Sequence, residues 1–428
     1  MKRKALAIAL TAAMAMGLVS SVPAMAEEEQ VTIKVFSNLP DRTSGQGLIE
    51  QTLFDMYMEE NPNVTIEVEA LDDESYKTKF KAYASGSSMP DLVNVWGQPA
   101  FISEVIDAGL LAELNEEDYA DYNFLDGSLN GFSQDGKLYG LARNTDVMGF
   151  YYNKAIFEEC GVEVPTTWDE LLAAVQTITD AGYIAISMDG SDKYPIAILI
   201  EDIYQKIAGG ADAYSNAVAA VESGSYDENW TQAAQMVVDL VEAGGFQTGF
   251  ETTDYGTALN LFTNGQAAMY YMGSWEMSMA TNEDIDEETR NNISVFTMPL
   301  VEGGTGTATE ICAWNGGGYS VTANSEVKEE AIALLNYMFE PDHWSKLAWE
   351  NGVCMSAQNF SDYLTGEETS LQLEWIDIVS GSTNVSGTPI NDLGTSEFKT
   401  VCEDSCVELA IGSLSVEEFY SALAAFAL

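Results

Sequence analysis

Residues 264–277 read N-G-Q-A-A-M-Y-Y-M-G-S-W-E-M. Asn264-Gly265 is a turn dipeptide. The apolar run 267–272 that follows has the length of a buried strand. Gly273 breaks the run, Ser274 is placed to cap a new helix, and Trp275 falls on its first turn. A strand of an α/β sheet would end here, and such ends are where open sheets bind ligands. At this point Trp275 has two readings: a platform for a flat ligand, or a core residue behind a tight turn.

The same grammar extends on both sides. Residues 31–36, V-T-I-K-V-F, alternate as an opening strand, and 48–59 make an amphipathic helix that buries Leu48, Leu53, Met56 and Tyr57. Strands at 64–68 and 91–96 alternate with helices at 76–84 and 101–108. Strands follow at 137–142 and 147–152, and Thr167 with Glu170 forms a capping box that opens a long helix. A buried strand at 184–187 and helices at 196–207, 230–242 and 255–262 lead back to the opening stretch. Beyond it come a strand at 293–297, a glycine-rich entry (316–318) into a strand at 319–322, and a helix at 327–339. The last hundred residues read mostly helical. Strands and helices joined by short connections predict mainly parallel sheets with helices on both faces. The acidic segment 281–290 lacks the spacing of a calcium loop and reads as a solvated face.

Composition narrows the function. The chain has 428 residues, 17 basic and 68 acidic, for a net charge of −51. Residues 1–26 have a basic start, an apolar stretch and an Ala24-Met25-Ala26 cleavage pattern, the form of a secretory signal peptide. Its removal would leave 402 residues with a charge of −54. So acidic a surface repels nucleic acid and anionic lipid headgroups, and favours a neutral or cationic ligand. No later stretch is apolar for long enough to span a bilayer. The five cysteines, an odd number, leave at least one thiol free. Cys402 and Cys406 share a helix face, match no zinc spacing and read as small buried residues.

Catalytic chemistry is scarce. The single histidine, His343, lies in F-E-P-D-H-W and reads as a surface helix residue. There is no nucleophile elbow, no H-E-x-x-H, no phosphate-binding loop and no dinucleotide fingerprint. Paired carboxylates of a glycosidase remain open, since 68 acidic residues hide any particular pair. Aromatics are plentiful, at 11 %. Phe36, Trp96, Tyr194, Trp275 and Trp314 stand at strand ends or in loops. Aromatic faces beside amides and carboxylates suit a polyhydroxylated ring, whose C–H face stacks while its hydroxyls hydrogen-bond.

Five stretches carry a family resemblance: M-P-D-L-V-N-V-W (89–96), K-L-Y-G-L-A-R-N-T-D-V-M-G-F-Y-Y-N-K (137–154), P-T-T-W-D-E-L-L (165–172), N-G-Q-A-A-M-Y-Y-M-G-S-W (264–275) and G-G-G-Y-S-V-T-A-N-S-E-V-K-E-E-A-I-A-L-L-N-Y-M (316–338). In this order they resemble the family 1 extracellular solute-binding proteins of bacterial ABC importers, the group that includes maltose-binding protein. The resemblance implies an α/β, two-lobed type II periplasmic-binding fold. Its first lobe would be 31–141 plus 301–340, and its second 146–296 plus 345–428. The hinge segments would follow the strands at 138–142 and 293–297.

The implied function is capture of a sugar or oligosaccharide between the lobes and delivery to a permease, with no reaction, cofactor or metal. The implied ligand-binding residues are Asn38, Trp96, Gln98, Asp146, Tyr194, Trp275, Trp314 and Gly317. The expected protein is an exported monomer, periplasmic or extracellular, with no direct membrane insertion. The Leu18-Val19-Ser20-Ser21 stretch has no cysteine for a lipid anchor. A receptor for a cationic ligand such as a polyamine and a secreted glycoside hydrolase stand as alternatives. A surface adhesion protein has no anchor motif to support it.

Overall fold

The computed structural model describes residues 30–86, 88–224 and 227–427. The expected signal peptide, 1–26, lies outside the described residues. Two main sheets organise the chain. In the first the strand order is Val64–Ala70, Val31–Ser37, Leu92–Trp96, Gly317–Val321, Leu141–Ala142. The first three are parallel, and Gly317–Val321 lies antiparallel to Leu92–Trp96. In the second the order is Ile293–Phe296, Asp146–Asn153, Ala267–Gly273, Ile184–Ser187. This is the two-lobed α/β fold expected.

Each sheet has its own core. Ile33, Val35, Leu92, Val93 and Val95 pack with Leu53, Phe54, Tyr76 and Phe80 on one. The second sheet is covered on both faces. Met269 and Tyr271 face the helices of 168–240, while Tyr270 and Met272 pack with Tyr151, Phe262 and Trp375. The Ala267–Gly273 strand is therefore buried throughout, which is why its sequence is continuously apolar rather than alternating. Thr167 and Glu170 form both bonds of the capping box over the helix Trp168–Asp180.

The segment boundaries differ from expectation. The chain does not leave the second sheet after 293–297. Ala313–Trp314 pairs antiparallel with Val147 and Asp146 of that sheet. Glu310–Ile311 pairs with Asn384–Val385. The buried Lys206 holds 303–310 in place by donating to the carbonyls of Thr307, at 3.0 Å, and Glu310. At the other end, Trp344, Ala348, Val353 and Ala357 pack with the first core. We propose that the return to the first lobe, expected at 301–340, begins at 317 and runs past 357, since the Gln358 amide donates to the carbonyls of Tyr122 and Phe339. Two-residue strands and a docked loop have no period to read, so the sequence could not place these points.

Among the described residues, three chain passes join the lobes side by side. Arg143-Asn144-Thr145 is the first, Asn315-Gly316 the second, and the chain around Met355–Ala357 begins the third. Thr145 N–H donates to the Met355 carbonyl at 2.9 Å, Ala357 N–H to that of Arg143 at 3.2 Å, and Arg143 N–H to that of Gly317 at 2.9 Å. The Asn315 amide donates to Thr145 Oγ1 at 2.9 Å.

Candidate functional site

The functional candidates gather where these passes cross. Asp146 opens the long strand of the second sheet and is 5 % exposed. Its carboxylate accepts from the Asn144 side chain and the backbone N–H groups of Gly316 and Gly317, and it faces Arg143. Burial nevertheless outweighs these donors and raises its pKa to about 7. Most of its acceptor capacity is spent inside the protein, tying the first pass to the second. These bonds join the two passes at the residue for which the resemblance implies ligand contact.

Arg143, also buried, extends this network. It donates to Asn144 Oδ1 at 3.1 Å and to Asn38 Oδ1 at 3.0 Å. Asn38 in turn donates to Asp73 Oδ1 at 2.6 Å, and its backbone N–H donates to Asn94 Oδ1 at 3.0 Å. Gln98, 3 % exposed, has an Oε1 acceptor with no donor among the described residues. Its amide nitrogen lies beside Gly316, where a Cβ would meet it at 3.1 Å and would meet Trp314 Nε1 at 2.5 Å and Asp146 Oδ2 at 2.6 Å. Only glycine leaves room for these groups to converge. Gly317 is in register with Trp96, and a Cβ on it would press on the Arg143 guanidinium at 2.8 Å.

The aromatic side comes from the second lobe. Trp275 is half-buried and lies edge-on to Trp314, with centroids 6.2 Å apart at 71°. Its centroid is 6.5 Å from that of Tyr194. The indole folds back over Gly273: a Cβ there would fall 2.0 Å from a Trp275 ring carbon. Gly273 is thus needed for close approach of the ring, because its φ of −81° suits any residue. Ser274 does not cap the helical turn as expected. It accepts from Val147 N–H at 3.1 Å and donates to the Thr145 carbonyl at 3.3 Å, pinning the turn to the first pass. Glu276 beside it is 6 % exposed, and burial alone pushes its pKa up to about 8.

Arg143 joins Asn38 to Asp146 and Gly317, Trp314 links Asp146 to Trp275 and through it to Tyr194, Lys77 lies between Trp96 and Tyr194, and Gln98 sits beside Gly316. The Lys77 ammonium lies 5.4 Å from the Trp96 ring centroid and 5.9 Å from that of Tyr194. Sequence reading missed Arg143, although it sits inside the quoted L-A-R-N-T-D stretch. It also missed Lys77. The available signal was rarity: with 17 basic residues against 68 acidic, a cation next to aromatic strand ends is uncommon.

Two lobes built on separate sheets, joined by three adjacent passes with polar and aromatic groups converging on them, define a hinged binding protein. The chain belongs to the bacterial extracellular solute-binding protein family, which it matches over residues 37–343. It is 23 % identical over 337 residues to the multiple sugar-binding protein of Streptococcus mutans, covering 77 % of this chain and 76 % of that one. Its fold matches a structure from work on xylan utilization by Caldanaerobius polysaccharolyticus, with a TM-score of 0.84, 23 % identity and coverage of 92 % and 99 % of the two chains. A chitin oligosaccharide binding protein matches with a TM-score of 0.81, 22 % identity and coverage of 93 % and 98 %. No helix among the described residues is long and apolar enough to cross a membrane.

Proposed function

We propose that this chain is the extracytoplasmic receptor of an ABC importer, which takes up a sugar or oligosaccharide between its lobes and hands it to the permease. The observation that carries this reading is the pairing of Trp275, Trp314 and Tyr194 with a buried polar floor. That floor holds Gln98 Oε1, an acceptor awaiting a donor, as a sugar hydroxyl would supply. Flat apolar faces on one side and hydrogen-bonding groups on the other complement a pyranose. The sugar-binding relatives support the same class, and their role as receptors supports binding without reaction. Closure of the lobes would exclude water and present one composite surface to the permease.

Calorimetric titration with a panel of neutral glycans tests the reading. One glycan should bind and raise the melting temperature, while amino acids do neither. Trp275→Ala should weaken that glycan about 10- to 100-fold, as expected for losing roughly 1–3 kcal/mol of stacking and burial. A panel with no binder, or unchanged affinity in the variant, removes the argument.

A further inference from the structure

Lys77 extends from the first-lobe helix Asp73–Ala84, whose Tyr76 and Phe80 are in the first core. Its ammonium pairs with Glu74 Oε1 at 2.7 Å. It also sits against two rings, one from each lobe: Trp96 at the end of a first-sheet strand and Tyr194 at the start of the second-lobe helix Tyr194–Ala208. Carboxylates from both lobes surround this point. Asp73 and Glu74 approach from the first lobe. From the second, Asp192 is close enough for its ionisation to be opposed by Glu74 and Asp73 and favoured by Lys77, on top of the effect of burial. Asp189, fully buried, accepts from Asp192 N–H at 3.1 Å, while its Oδ2 has no donor among the described residues. Lys399 and Glu403 on the helix Ser396–Ala410 also act on Lys77. Nearby the lobes touch again, where Ser396 Oγ donates to Glu104 Oε1 at 2.6 Å.

Two aromatic faces with a rim of carboxylates make the surroundings of an ammonium ion. We propose that this is an ammonium slot shared by the two lobes, and that Lys77 fills it as a built-in cation. Filled, the slot does two things. It holds the lobes together, because Asp73 and Glu74 of one lobe repel Asp192 of the other and the Lys77 ammonium offsets that repulsion. It also denies this end of the cleft to cationic ligands, so a strongly acidic protein can select a neutral one. The specificity part rests on the reading of the cleft as the binding site; the clasp does not.

The test uses the sugar-free protein, so its failure is separate from an empty glycan panel. Small-angle scattering at low salt gives the radius of gyration of wild type, Lys77→Ala, Lys77→Met and Lys77→Arg, with circular dichroism confirming that each is folded. Lys77→Ala and Lys77→Met should expand, and Lys77→Arg should keep the wild-type radius. Ethylammonium chloride, at concentrations where potassium chloride has no effect, should bring Lys77→Ala back to the wild-type radius. Calorimetry should show ethylammonium binding to Lys77→Ala at least tenfold more tightly than to wild type. Adding Asp192→Asn to Lys77→Ala should abolish that binding. Equal radii for wild type and Lys77→Ala overturn the proposal. So does compaction by potassium equal to that by ethylammonium, and so does failure of ethylammonium to bind or compact the variant.

Discussion

Replacing Glu276 by glutamine should stabilise the protein at pH 9 and leave it nearly unchanged at pH 5. Glu276 is buried beside Trp275, and burial is the sole cause of the rise of its pKa from 4.5 to about 8. The sign follows from proton binding. Between about pH 4.5 and 8 the folded state holds a proton that the unfolded state has released, so stability falls as pH rises through this window and levels off above it. The full shift is a ceiling of about 5 kcal/mol. Relaxation and water entry reduce such penalties in real proteins, which leaves about 2–4 kcal/mol as the expected difference. For a cooperative unit the size of one lobe this is about 5–15 °C in melting temperature. Glutamine keeps the shape and cannot ionise. Differential scanning calorimetry of wild type and variant at both pH values provides the comparison, and every other titrating group cancels in the difference. An offset between the two proteins that is the same at pH 5 and pH 9 refutes the reasoning, since Glu276 would then stay ionised or stay neutral throughout.

Three further outcomes follow from the passes and the core. Gly316→Ala should cost about 1–3 kcal/mol in urea unfolding, because the new methyl group must displace Trp314 Nε1 or the Asp146 carboxylate. Lys206→Met should cost about 3–5 kcal/mol by leaving the buried Asp202 without its cation and the Thr307 and Glu310 carbonyls without their donor, and adding Asp202→Asn should recover only the Asp202 part. Asp146, with its pKa raised to about 7, should also make stability fall as pH rises from about 4 to 7; Asp146→Asn should flatten that part of the pH profile of the urea midpoint.

The elements legible in the sequence were those with a long period or a local chemical signature. The opening strand, the apolar run 267–272 and the Thr167–Glu170 box are of this kind, and the structure contains each, the strand at 267 extending one residue further to Gly273. What stayed hidden depends on partners distant in the chain. Ala313–Trp314 is a strand only because Val147 and Asp146 lie opposite it. The helix Trp344–Glu350 reads like its neighbours, and only the surrounding packing assigns Trp344 and Ala348 to the first core. At the candidate site, the residues legible one by one were aromatics and acceptors, since each has a characteristic chemistry by itself. It missed Arg143 and Lys77, whose roles exist only in combination: one bridges Asn38 to the first pass, the other faces rings from two lobes.

The late return of the chain to the first lobe has a consequence for the order of folding. The central strand Leu92–Trp96 receives its antiparallel neighbour only when Gly317–Val321 is made. Tyr319 then donates to the buried Glu50, 269 residues earlier, at 2.6 Å. The second sheet likewise waits for Ile293–Phe296 and Ala313–Trp314. Closing contacts over such spans demands chain entropy before packing rewards it, which slows folding. An emerging chain of three hundred residues thus has neither core complete. The first core also needs Val353 and Ala357, and the second needs Phe398, Phe419 and Leu423, so the first lobe can close before the chain ends while the second waits for nearly the whole polypeptide.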